Sequence, residues 1–280
     1  MEQVGPPGII PVGPLSERSR ARPRQLEVSE FTADELVQAD EAFAGNRLLS
    51  TFSREARALV EPFGTMIELD TGERVLSRGE QVHSSLFLVG PTMITMVVEL
   101  GGGRSIEVAS IGREGAVGGI VSCGHAPAFS RAEVLVGGPA FRVPMEALED
   151  AKKRSPFIGN LFCRYSDYLL STVMQSVACN AFHSIPERAA RWLLHVQDRA
   201  GDRIELTQEA FAGLLGVQRT TVNAVIKELS AEGLVGTSRG TVRVLDRAGL
   251  KRRACECYHQ LQEHYDAVIG TSGSGAEVRR

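Results

Sequence analysis

The spacing of apolar positions changes twice along the chain. Between residues 31 and 63, Leu36, Phe43, Leu48, Leu49, Phe52, Ala56, Leu59 and Val60 recur at the three- and four-residue intervals of short amphipathic helices, with Ser53 as an N-cap. After Gly64 the period drops to two through the runs 67–69, 74–77, 86–89, 93–100, 106–111, 132–136 and 140–143. Turn signals separate them at Thr71-Gly72, Arg78-Gly79, Gly90-Pro91, Gly101-Gly102-Gly103 and Gly137-Gly138-Pro139. Seven or eight short strands in succession predict an antiparallel jelly roll, a double-stranded β-helix.

Between residues 155 and 184 the helical period returns, and at about 1.5 Å per residue such a helix spans roughly 42 Å. That is longer than one small domain has to cover. Its stripe from Ile158 through Leu161, Phe162, Tyr165, Leu169 and Val173 to Val177, with Tyr168 and Thr172 beside it, predicts a helix that pairs with its copy in a second subunit. An ordinary core helix is the competing reading.

The run LTQEAFAGLLGVQRTTVNAVIKEL, residues 206–229, has the spacing of a helix-turn-helix. Thr207 is a suitable N-cap, Ala212 lets a second helix cross closely, and Gly216 supplies the left-handed residue of the turn. Val222, Val225, Ile226 and Leu229 share one face of the second helix, which leaves Thr220, Asn223 and Lys227 on the other and Arg219 at its start. That outer face has major-groove chemistry: Arg suits guanine, Asn suits adenine, and Thr suits a base edge or a phosphate. Thr207 and Gln208 present backbone N–H groups for phosphate, while Gln218 and Thr221 flank the reading face. Two further short strands around Ser238-Arg239-Gly240 predict the wing of a winged helix, with Ser238 and Arg239 at its tip.

Charge strengthens this reading. Over 280 residues the net charge is only −3, but residues 185–253 hold twelve Lys and Arg against eight Asp and Glu. This third therefore carries +4 and the remainder −7, an asymmetry suited to local phosphate binding. The first 25 residues contain Pro6, Pro7, Pro11, Pro14 and Pro23 among glycines and arginines, which predicts a disordered tail over 1–30. The apolar stretches are too short for a transmembrane helix or a signal peptide, so the expected compartment is the cytoplasm. Five cysteines, at 123, 163, 179, 255 and 257, fit no disulfide framework and no paired CxxC zinc site. Placed on one helix, Cys255 and Cys257 would point about 200° apart and could not chelate together, so no metal is expected.

The order of parts resembles the Crp/Fnr transcription regulators over about residues 46–250. The resemblance is carried by Gly79-Glu80, the stretch Glu187 to Leu194, and the helix-turn-helix run; the closing DRAGLKRRACECY resembles a branch with an extra carboxy-terminal helix. It implies an α+β chain: a cyclic-nucleotide-binding-like jelly roll over 31–152, a dimerisation helix over 153–184, a winged helix-turn-helix over 185–248, and a helix and tail over 249–280. It further implies a homodimer on a pseudo-palindromic operator in double-stranded DNA, with RNA polymerase as a partner and no membrane role.

The effector region departs from the family pattern. Gly118 matches the glycine of the nucleotide cassette, but Gly119 stands where the ribose-binding Glu would be. Ser130 falls at the position of the phosphate-binding Arg, and Arg131 is displaced by one residue, which on a strand reverses its facing. Independence from cyclic nucleotides is therefore expected, with the effector unknown. Cys123 in this cassette is a candidate thiol sensor, His83 or His125 a candidate haem ligand, and a protein partner an alternative switch. An iron–sulfur sensor is disfavoured because no cysteine precedes Cys123. An enzyme is the rival class, but the six histidines show no clustered ligand motif, and no catalytic residue is expected.

Overall fold

The computed structural model describes residues 33–120 and 126–270. The predicted tail, Cys123 and His125 lie outside the described residues.

Two antiparallel four-stranded sheets form the roll. β1 (Thr65–Leu69), β2 (Arg74–Leu76), β3 (Ser84–Leu88), β4 (Met93–Glu99), β5 (Ser105–Ile111), β6 (Ala116–Val117), β7 (Arg131–Val136) and β8 (Gly138–Pro144) are laid out as β1-β8-β3-β6 and β2-β7-β4-β5. The alternating runs of the sequence become these strands, and the short β6 is the one the pattern did not single out. The facing sides of the two sheets bury Leu69, Leu86, Leu88, Ile94, Ile111, Val117, Ala132, Val134 and Ala140.

Both outer faces are covered as well. Against the first sheet lie α1 (Ala33–Gly45), the single turn α2 (Arg54–Arg57), α3 (Met145–Arg154) and the long α4 (Pro156–Phe182), in a core that includes Phe43, Phe87, Phe141, Leu148, Phe162 and Tyr165. Ser155 starts α4 by accepting the Ile158 N–H at 3.4 Å, with Pro156 in the first turn, where a missing N–H is harmless. Tyr165 fixes the helix to the roll, its Oη accepting from Ala116 N at 2.9 Å and donating to Ala116 O at 3.1 Å.

The second sheet is covered by the carboxy-terminal part: α5 (Ile185–Ala200), β9 (Arg203–Glu205), α6 (Gln208–Leu215), α7 (Arg219–Ala231), β10 (Val235–Ser238), β11 (Thr241–Val244) and α8 (Arg247–Arg253). Met93 and Val97 of β4 share one buried cluster with Trp192, Phe211, Leu215 and Ile226. The last helix, α9 (Cys257–Val268), returns to the roll and α4, where Tyr265 meets Tyr168 edge to face at 4.9 Å and donates to the Glu114 carbonyl at 2.7 Å.

The predicted dimer stripe needs correction. Ile158, Leu161, Phe162, Tyr165, Tyr168 and Thr172 are buried within their own chain, and Leu169 packs against the same core. Of that set Val173 and Val177 are exposed. The apolar side chains of α4 left in solvent are Leu170 at 58%, Val173, Met174 at 63%, Val177 at 65% and Phe182. Helix α4 is apolar on two faces, and the more regular of them belongs to the roll.

Candidate DNA interface and its coupling to the roll

The helix-turn-helix forms as its residues predict. Thr207 caps α6, its hydroxyl accepting the Ala210 N–H at 3.1 Å, which leaves the O–H and the backbone to meet another ligand. Gly216 closes α6 with φ 67° and ψ 34°, the left-handed conformation that a side chain would strain. Val222, Val225, Ile226 and Leu229 are buried, whereas Arg219, Thr220 and Lys227 are exposed and Thr221 and Asn223 half-buried. A groove of about 650 Å³ between α6, the start of α7 and the wing brings Thr207, Gln208, Arg219, Ser238 and Arg239 together. Gln218, Thr220, Thr221, Asn223 and Lys227 continue from it along α7.

Some supporting residues were not evident from the sequence. Arg253 of α8 pairs with Glu228 and, at 3.2 Å, with Glu232, so the acidic end of α7 is neutralised from behind. Arg188 donates to the Leu215 carbonyl at 2.7 Å and satisfies one of the open groups that end α6. The stretch Glu187 to Leu194 thus has a physical reason: Glu187 accepts the Ser184 N–H at 2.7 Å, Arg188 caps α6, and Ala189 and Ala190 let the helices approach.

This module is locked onto the roll. The Trp192 indole donates to the Glu107 carboxylate of β5 at 3.2 Å, and Thr95 of β4 donates to the same carboxylate at 2.7 Å. A Cβ at Gly216 would lie 3.0 Å from the Ile106 side chain, so the turn before the reading helix rests directly on β5. Further along, Arg199 of α5 holds Glu114, in the loop between β5 and β6, through Nε at 3.1 Å and through Nη2. Burial would push the Glu114 carboxyl up, but the Arg199 charge and its hydrogen bonds outweigh that and hold it below the usual carboxylate range.

At this junction α4, α5, α9 and the roll enclose a cavity of about 300 Å³ lined by Arg47, Glu107, Tyr168, Arg191, His195 and Tyr258. Burial, reinforced by the charges of Arg199 and Arg191, drives the His195 imidazole well below its ordinary 6.5, and its Nε2 is shielded without a hydrogen-bond partner among the described residues. The folded chain therefore refuses a proton that the unfolded chain accepts below pH 6.5. Stability present above that pH is expected to fall toward pH 5, by up to about 1.4 kcal/mol per pH unit from this one group. Urea melts across this range should show a flatter profile for His195→Gln; identical slopes would exclude His195 as the cause.

In the effector region, Gly118 and Gly119 both take positive φ, at 102° and 62°, and a Cβ on Gly118 would collide with the Ser84 carbonyl at 2.4 Å. Ser130 is buried. Since Ala132 and Val134 point into the roll, Arg131 and Glu133 take the opposite face. There Arg131 pairs with Glu99 and, at 3.2 Å, with Glu133. His83 is exposed at the edge of β3.

A Crp-like helix-turn-helix domain matches residues 187–253. The HTH-type transcriptional regulator Cmr of Mycobacterium tuberculosis (strain CDC 1551 / Oshkosh) is 26% identical over 182 residues, 64% of this chain and 72% of that protein. The CRP-like cAMP-activated global transcriptional regulator of the same strain is 24% identical over 196 residues, 67% of this chain and 87% of that one. A solved Crp/Fnr-family regulator from Eubacterium rectale shares the fold at a TM-score of 0.59 and 20% identity, covering 73% of this chain and 96% of its own. Over residues 187–253 the chain is similar to Crp-like helix-turn-helix domains, and over most of its described length its fold is that of Crp/Fnr regulators. The matched segment ends with Arg253, the residue that braces α7. No helix among the described residues is long and apolar enough to cross a membrane.

Proposed function

We propose that this Crp/Fnr-type regulator acts as a homodimer on a pseudo-palindromic operator, with α7 in the major groove, and that cyclic AMP and cyclic GMP do not switch it. Support for the reading face is the exposure of Arg219, Thr220 and Lys227 on α7, with Arg219 sharing one groove with Ser238 and Arg239 of the wing. In this reading Arg219 takes a guanine edge, Asn223 an adenine edge, Thr220 and Thr221 a base edge or phosphate, and Lys227, Arg239 and the start of α6 take phosphate. Two copies of α7 related by a two-fold axis meet half-sites about 10 to 10.5 base pairs apart or a multiple of that. RNA polymerase in the cytoplasm is the machinery such a regulator addresses.

The observation that carries effector independence is the placement of Arg131. One relative's name makes it cAMP-activated, and a cyclic phosphate inside a roll needs a countercharge. Here the displaced guanidinium is engaged by Glu99 and Glu133 on the outer face, and Gly119 offers no carboxylate to a ribose.

Fluorescence anisotropy on an operator selected from genomic DNA tests both parts. Arg219→Ala is expected to weaken specific binding by about 1–3 kcal/mol, roughly five- to 150-fold, with little change on random DNA. Lys227→Ala should weaken all sequences alike and lower the salt slope by about one. Either cyclic nucleotide should leave operator affinity unchanged. Equal operator affinities of wild type and Arg219→Ala would overturn the reading face, and tightening by a low-micromolar cyclic nucleotide would overturn the effector assignment.

A further inference from the structure

The last turn of α4 meets the junction of α8 and α9 in a cluster outside the DNA interface and the roll. Cys179 lies in the last turn of α4, and His183 is the residue that caps it, its N–H bonded to the Cys179 carbonyl. Cys255 and Cys257 flank Glu256 where the chain breaks between Arg253 and Cys257. The two cysteines are therefore not on one helix, and the 200° divergence expected from the sequence does not hold. The three cysteines are buried, belong to no larger apolar cluster, and with the His183 ring bring four ligand atoms within 4.8 Å of one another.

We propose that Cys179, His183, Cys255 and Cys257 form a structural zinc site that clamps the hinge between α4 and the DNA-binding module.

The distances suit a single tetrahedral ion. Zinc–sulfur bonds of about 2.3 Å place two thiolates of a tetrahedron about 3.8 Å apart; Cys179 Sγ and Cys255 Sγ stand 3.6 Å apart, and Cys257 Sγ and His183 Nδ1 3.5 Å. An iron–sulfur cluster sets two or four irons between its ligands, which forces some of them farther apart than this. Three cysteines and a histidine are a closed structural zinc set.

The surroundings hold the ligands in place. His183 turns Nδ1 toward the sulfurs while its Nε2 meets the Glu256 carboxylate at 3.2 Å, the arrangement that fixes the tautomer of a metal-bound imidazole. Gln175 donates to Cys257 Sγ at 2.9 Å. Three thiolates around a divalent ion leave one negative charge, and Arg188 and Arg191 of α5 are close enough to act on Cys179 electrostatically. One ion here joins segments 76 residues apart in sequence, at the point where α4 ends and α5 begins.

Metal analysis of the full-length chain tests this directly. Purified protein should carry about one zinc per chain, and cobalt should replace it with the intense visible absorption of a tetrahedral thiolate site. Cys255→Ser and Cys257→Ser should each retain less than about one-fifth of the metal, while the exposed Cys163→Ser keeps all of it. Glu256→Gln should still bind one zinc but yield it to a chelator at about 10- to 100-fold lower concentration. Protein lacking metal and unable to take up cobalt, protein with iron and acid-labile sulfide, or a Cys179–Cys255 disulfide in the isolated chain would each overturn the proposal. The first two measurements use the unaltered chain, so they stand even if a cysteine variant fails to fold.

Discussion

Arg199→Ala is expected to destabilise the folded chain by about 3–5 kcal/mol, because it leaves the Glu114 carboxylate buried without its countercharge. Both side chains are nearly inaccessible, at 13% and 10% exposure, and the Gly112 N–H at 3.1 Å is a further donor to that carboxylate. The double variant Glu114→Gln, Arg199→Met should cost much less, since removing both charges also removes their desolvation. Urea unfolding of the single and double variants gives the coupling between the two residues. Because the pair ties α5 to the roll, Arg199→Ala should also loosen the DNA-binding module, which proteolysis between the two parts would detect. Glu114 is held below its usual range, so its contribution is present above pH 4.5 and disappears as pH falls through the lowered value. A loss under 1 kcal/mol for Arg199→Ala at neutral pH would mean water reaches the pair.

Replacing Leu170 and Met174 together by Glu is expected to convert the proposed dimer to monomers without unfolding the chain. Each of these side chains is more than half exposed, so the fold of one copy does not depend on them. Burying an apolar side chain of this size contributes about 1.5–3 kcal/mol, and a two-fold interface buries each residue twice. Dimer affinity should therefore fall by more than roughly two orders of magnitude. Light scattering would report the dissociation, and operator binding would weaken as the two half-sites lose their shared partner. Tyr165→Ala is the contrasting variant: that side chain is fully buried with two backbone hydrogen bonds to Ala116, so the loss should appear in unfolding. A Leu170→Glu, Met174→Glu protein that remains a tight dimer would place the interface elsewhere.

Features with a local cause were legible in the residues alone. The strands of the roll follow from a period of two between glycine-rich turns, which each segment satisfies without reference to the others. The turn at Gly216 follows from an αL requirement, and the inner face of α7 from Val222, Val225, Ile226 and Leu229 at helical spacing. The displacement of Arg131 was also visible, because a one-residue shift on a strand reverses a side chain whatever surrounds it.

Other features depended on what packs against what. Helix α4 has two apolar faces, and periodicity shows that both exist but not which one the roll takes; Tyr165 and its bonds to Ala116 decide that, leaving Leu170, Met174 and Val177 outward. Trp192 and Glu107 lie 85 residues apart, as do Arg199 and Glu114, so no local pattern links them. The cysteine cluster escaped for a sharper reason. A two-residue spacing on a helix separates the two thiols, but the chain leaves the helix at Ala254, whose extended backbone turns Cys255 and Cys257 toward the same point. The elements and the outward face of α7 were legible in the residues, because those depend on near neighbours. Only the tertiary structure decided which surfaces remain open and which distant side chains meet, because burial is set by the whole fold.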